Sequence, residues 1–299
     1  CVAGAAVAVG HSEQLFSGAV REDGETLGKV PLPLSPSVDD VLAPPGLPQT
    51  ARRLFAICEH AFDKLLPLDA SAWRLKRPSG PNRALVDEAS AVAEALGISE
   101  PKLRITQVAP TACMPIMGDP PTLVVGGGLL ERTSADERFF LFARALKVAS
   151  SHMAPALRAR PEELDAALLA LLHGHDSSRG QSPVPEQLHD LRKRILKAVP
   201  RRSRDELESL VLELQAQQAF STRLVPFAVS SLGDRAALLL TGRLPAAVDA
   251  LLKIAGHDVP SHAAGRLDAI RETPEALALL RFSISDAHFE ARAQAGVDR

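Results

Sequence analysis

Over most of this chain apolar positions recur every three or four residues, the period of helices that bury one face. From Gln49 onward, Leu54, Ile57, Ala61 and Leu65 mark a first helix, which Pro67 stops. Leu85, Ala89, Val92 and Leu96 mark a second, with Gly97 as its C-terminal cap. The period then changes. Alternation and β-branching over Leu103–Val108 predict a strand, and Met114–Met117 is expected to pair with it. Thr122–Val125 reads as a short buried strand, followed by a glycine turn at Gly126–Gly128. Ser134 and Glu137 then have the S-x-x-E spacing of a capping box, in which each side chain satisfies a backbone donor that the helix start leaves free. The helix they open carries Phe139, Phe140, Leu141, Phe142, Leu146 and Val148. Apolar on nearly every side, it is expected to lie in the middle of the core.

Beyond that helix the pattern is almost wholly helical. Pro161 opens a helix with the stripe Leu164, Leu168, Leu171 and Leu172, ended at Gly174. Leu188, Leu191, Ile195 and Val199 mark the next, broken by Pro200. Ser203 with Glu206 gives a second capping-box signal. Residues 222–242 form a long apolar helix, and Pro245–Ala255, Thr273–Ser283 and Ser285–Ala295 complete the set. No fixed repeat period is present, which argues against a solenoid.

The N-terminal part differs. Residues 21–48 carry six prolines and few helix signals, so 1–48 is read as an irregular segment or linker and 49–299 as the helical domain. The fold class is therefore α+β, mainly helical, with a small β-hairpin or sheet. Net charge is −2 and Tyr is absent, which removes both a field for nucleic acid and a base-stacking platform. Cys1, Cys58 and Cys113 are odd in number, far apart and without C-x-x-C spacing, so neither a disulfide framework nor a zinc knuckle is expected. A cytoplasmic setting and no transmembrane segment are the expectation, with a processed lipoprotein as the alternative if Cys1 is a true N-terminus. The alternative to that is a fragment of a longer protein, because residues 1–10 read as an interrupted element.

The stretch Thr122–His152, with Leu129–Leu130, Ser134 and Glu137, resembles the active-site region of HExxH zinc metallopeptidases of the CAAX prenyl endopeptidase type. In that family two His one turn apart bind Zn²⁺ and the Glu between them activates water. The resemblance lays the motif over residues 143–147. It puts Ala143 and Lys147 at the two ligand positions and Arg144 at the base. The third ligand position falls on Ser230, and the Asp four residues on is kept as Asp234. Alanine offers no donor atom, and Lys and Arg are protonated cations at neutral pH. The resemblance covers roughly residues 80–256 and implies a pseudo-metallopeptidase, holding neither metal nor other cofactor. Residues 49–299 also look like C-terminal regions of large myxobacterial proteins with tetratricopeptide repeats upstream. That implies an interaction or scaffold module in a larger assembly, with a protein partner.

Arg144 and Lys147 stand three residues apart on an otherwise apolar helix, so at least one should approach the interior and pair with Asp234 or with a helix-end carbonyl. Other features invite chemistry. Arg192, Lys193, Arg194, Lys197, Arg201, Arg202 and Arg204 place seven basic residues in thirteen with no acid, a solvated helix end or a contact for an acidic partner. A hydrolase using a different constellation in the same cleft is the remaining enzymatic expectation. His173-Gly174-His175-Asp176 has the look of a metal site but falls at a helix end before a polar loop. Cys58 and His60, two apart on a helix, point to different sides and cannot act together. No G-x-S-x-G elbow is present, and a G-x-G-x-x-G loop fails at Glu131.

Overall fold

A computed structural model of the chain describes residues 5, 8–9, 35–173, 186–217 and 220–297. Pro31, Pro33, most of the apolar run Val2–Val9, Cys1 and the Gly174-His175-Asp176 part of the metal-like motif lie outside them.

Part of the segment 1–48, read as irregular, is helical over Pro36–Leu42. Ser35 is extended and accepts from the Val38 amide at 3.4 Å, and Pro36 follows at the first helical position. The resulting helix α1 (Pro36–Leu42) buries Val38 and Leu42. Helix α2 (Gln49–Leu65) buries Leu54 and Ala61 with Phe55, Cys58 and Phe62 and leaves Ile57 and Leu65 half-buried, while α3 (Ala84–Ala95) buries its expected stripe and ends at Gly97 with φ +64°.

Strands β1 (Lys102–Thr106), β2 (Cys113–Ile116) and β3 (Thr122–Gly126) form a mixed sheet in the order β1-β3-β2. The expected pairing of Met114–Met117 with the first strand is corrected: β3 lies between them, parallel to β1 and antiparallel to β2. Leu123, Val124 and Val125 are fully buried, which suits the strand that needs a neighbour on both edges. The glycines after β3 do not make a turn. Gly126 closes the strand in extended geometry, and Gly127 and Gly128 open α4 (Gly127–Arg132). Gly126 is required by close approach, since a methyl group there would overlap the Ala109 and Pro110 carbonyls; at Gly127 only the flexible end of the Gln107 side chain would have to give way.

Helix α5 (Ala135–Ser150) follows, its start closed by the capping box that Ser134 and Glu137 form in both directions. Then come α6 (Ala154–Arg158), α7 (Pro161–His173), α8 (Glu186–Ala198), α9 (Arg204–Ala216), α10 (Val225–Thr241), α11 (Leu244–Ile254), α12 (Ala263–Glu272), α13 (Pro274–Ser283) and α14 (Asp286–Gln294). The second capping-box expectation is not met. A tight turn over Arg201–Ser203 leads into α9, so Ser203 is not extended and its side chain makes no cap bond. Helices α6 and α12 were not legible; α12 buries only Ala269 and Ile270, too sparse a stripe to read.

The molecule is thus mainly helical with a small sheet, and α5 is its centre. Residues Phe140–Ala149 are all buried, and α5 packs most extensively on α10. Gly233 makes that approach possible: a methyl group there would stand 2.9 Å from the Arg144 carbonyl oxygen and 3.0 Å from Val148. Thr222–Thr241 is long and apolar enough to cross a membrane by length and composition alone, with 72% of its window buried inside the fold. That is the profile of a core helix.

Candidate functional site

Two cations are buried on the central helix, and each has found a carboxylate on a different element. Arg144 Nε donates to Asp234 Oδ1 at 2.6 Å, with Asp234 1% exposed. Lys147 Nζ lies 2.7 and 2.8 Å from the two carboxylate oxygens of Asp39 on α1. The Arg144 contact with α10 is the one the helix spacing and the resemblance anticipated. Lys147 pairs elsewhere, with a residue of the segment taken as linker. The signal for it was present as Ser-Pro followed by Asp39 in the first turn, an N-terminal helix signature.

Arg144 stays a cation. Burial pulls its pKa down, and the neighbouring Asp234 carboxylate more than offsets this. Asp234 is therefore the member of the pair that titrates. Burial pushes its carboxyl up to about 6, and the attraction and hydrogen bond of Arg144 offset only part of that rise. Its Oδ2 and the Ser231 hydroxyl oxygen are buried without a hydrogen-bond partner among the described residues. Ala143 and Ser230 are buried as well. This donor set does not fit a zinc ion: one position has no heteroatom, and the two cations are committed to ion pairs. Among the described residues no group of three or more His, Cys, Asp or Glu is placed to hold a metal.

Further ion pairs leave α5 in other directions. Arg138 makes a two-pronged contact of 2.7 Å per arm with Glu88 on α3. Glu137 accepts from Lys253 on α11 at 2.6 and 2.7 Å. At the C-terminal end His152 Nδ1 meets Glu59 of α2 at 2.6 Å. His152 has φ +61°, and its amide and that of Met153 bond to the Ala149 and Val148 carbonyls. That is a Schellman cap with histidine in the left-handed position, which Gly97, Gly256 and Gly296 fill in three other helices.

The basic run is divided by the fold. Lys193, Arg194, Lys197, Arg201 and Arg202 are exposed, with one loose contact from Lys193 to Asp190 at 3.7 Å. Arg192 and Arg204 turn partly inward, each with a buried Nε that has no partner among the described residues. His173, the described residue of the metal-like motif, is exposed. Cys58 is fully buried and its thiol is pushed up to about 12 by burial, as is that of Cys113, so both are inert core residues.

A cavity of about 530 Å³ opens beside the end of α5, lined among others by Glu59, His60, Asp63, Asp119 and His152. The sequence pattern did not reveal it, because its walls come from α2, the loop after α3, the β2–β3 loop and the end of α5. No protein-family model, curated protein or solved structure matches the chain.

Proposed function

We propose that this chain is a non-catalytic interaction or scaffold module, built like a zinc metallopeptidase whose metal site has been replaced by structural ion pairs. The observation that carries this reading is the Arg144–Asp234 contact between the two most extensively packed helices. Where the family would hold a water-activating glutamate, this chain has a guanidinium committed to a buried carboxylate. A protonated guanidinium cannot take a proton from water. Purified protein is expected to carry no stoichiometric zinc, and a chelator is expected to leave its melting temperature unchanged. One tightly held Zn²⁺ per chain, with a fall in melting temperature on chelation, would contradict the reading.

A second surface has its own support. Helix α8 buries only Ile195, and Lys193, Arg194, Lys197, Arg201 and Arg202 are exposed, with only the loose Lys193–Asp190 contact among the described residues. This suits an acidic protein partner. Reversing Arg201 and Arg202 to Glu is expected to abolish binding to such a partner while changing stability by less than about 0.5 kcal/mol. Larger destabilisation would make these side chains part of the fold.

A further inference from the structure

The last two turns of α2, the residues just after α3 and the end of α5 all line the 530 Å³ cavity. Glu59, His60 and Asp63 project from the last two turns of α2. Ile98 and Ser99 follow the end of α3, and Ala149, Ser150 and His152 form the end of α5. Helix C-termini carry the negative end of the backbone dipole and favour cations. The β2–β3 loop adds Asp119. No Lys or Arg side chain lines the cavity among the described residues. The side chain of Arg158, which bonds to Asp63, is 1% exposed, and its Nε also donates to the Leu66 carbonyl. It lies beneath the surface rather than in the opening.

The remaining walls are apolar: Ile98, Met117, Pro121 and Ala149. A volume of this size is in the range that takes a small ligand or a long side chain. His152 is held at the rim through its Nδ1 by Glu59, which leaves Nε2 as the ring's second polar atom. Glycine would meet the left-handed geometry at position 152 without strain, so the histidine is not there for the cap.

We infer that this cavity is a binding site for an organic cation on an apolar stem. The chemistry is an alkylammonium or guanidinium group, from a Lys or Arg side chain of a partner or from a free polyamine. The stem lies on Ile98, Met117 and Pro121, and the charge meets Glu59 and Asp119 beside the C-terminal end of α5. This inference does not rest on the pseudo-peptidase reading and can fail without it.

The test is calorimetric titration of the full chain with two cations, blocked lysine (N-acetyl-lysine N-methylamide) and spermidine, and with glutarate as an anionic control. Saturable binding of at least one cation, with none of glutarate, is expected. Tighter binding of blocked lysine assigns the source as a protein side chain, and tighter binding of spermidine assigns a polyamine. The double variant Glu59→Gln, Asp119→Asn is expected to weaken binding at least about fivefold, as loss of two partly exposed charges should. Its circular dichroism spectrum should stay unchanged. Asp119→Asn alone, which leaves the Glu59–His152 contact in place, should also weaken binding and keeps the test open if the double variant fails to fold. Binding of neither cation, equal binding of glutarate, or unchanged affinity in these variants overturns the inference.

Discussion

Asp234 is under two opposing influences. Burial raises the cost of its charge, and Arg144 lowers it, but the carboxyl still titrates near 6 in the folded chain against about 3.9 when unfolded. A raised carboxyl pKa means that the folded state holds the proton more tightly. The stabilisation from that proton is fully present below about pH 4 and is lost as pH rises through 6. Unfolding free energy of the wild type, relative to Asp234→Asn, is therefore expected to fall between pH 4 and pH 6. Two units correspond to about 3 kcal/mol at most. Urea denaturation of both proteins across that range checks it, and parallel pH profiles would contradict it. That Arg144 or Lys147 must find a counter-charge or a helix-end carbonyl was legible in the sequence, because both are cations on an apolar helix; Asp234 as the partner came from the resemblance. The Asp39 partner of Lys147 was not legible, since six prolines over 21–48 outweighed the short helix signal at Ser35-Pro36.

At the scale of elements, α5 holds its neighbours by charge as well as by packing. Within it, Glu137, Arg138, Arg144 and Lys147 face α11, α3, α10 and α1 in turn. The last of these latches a helix of seven residues that could not stand alone. Asp39→Ala leaves the Lys147 ammonium buried without its carboxylate and is expected to cost about 2 kcal/mol in denaturant unfolding. Adding Lys147→Met should recover most of that loss. A change below about 0.5 kcal/mol in the single variant would mean that α1 is held by Val38 and Leu42 alone. The long helices were readable because their apolar stripes are dense and their ends are marked by Ser134, Pro161, Gly97 and Gly242. The sheet was readable as strands but not as an order. Three short apolar runs do not reveal which one lies between the others.

For the molecule as a whole, the charges on α5 and the cavity at its end divide one helix into two parts. The middle is sealed against α10 and α1, and the C-terminal end is open. The helical period exposed the two cations of the first part but not the Asp39 partner of Lys147, which stands 108 residues away in the chain. The sequence concealed the second part, which is assembled from four separated stretches. Arg144 and Asp234 form a buried structural pair between α5 and α10. Denaturant unfolding at pH 7 of Asp234→Ala and of the double variant Arg144→Met, Asp234→Leu tests it most directly. The single variant strands a buried guanidinium and should lose about 3 kcal/mol or more. The double variant removes both charges and should recover most of that loss, because a buried pair replaced by apolar side chains is often neutral or stabilising. A single variant within about 0.5 kcal/mol of wild type, or a double variant no better than the single, would contradict the account.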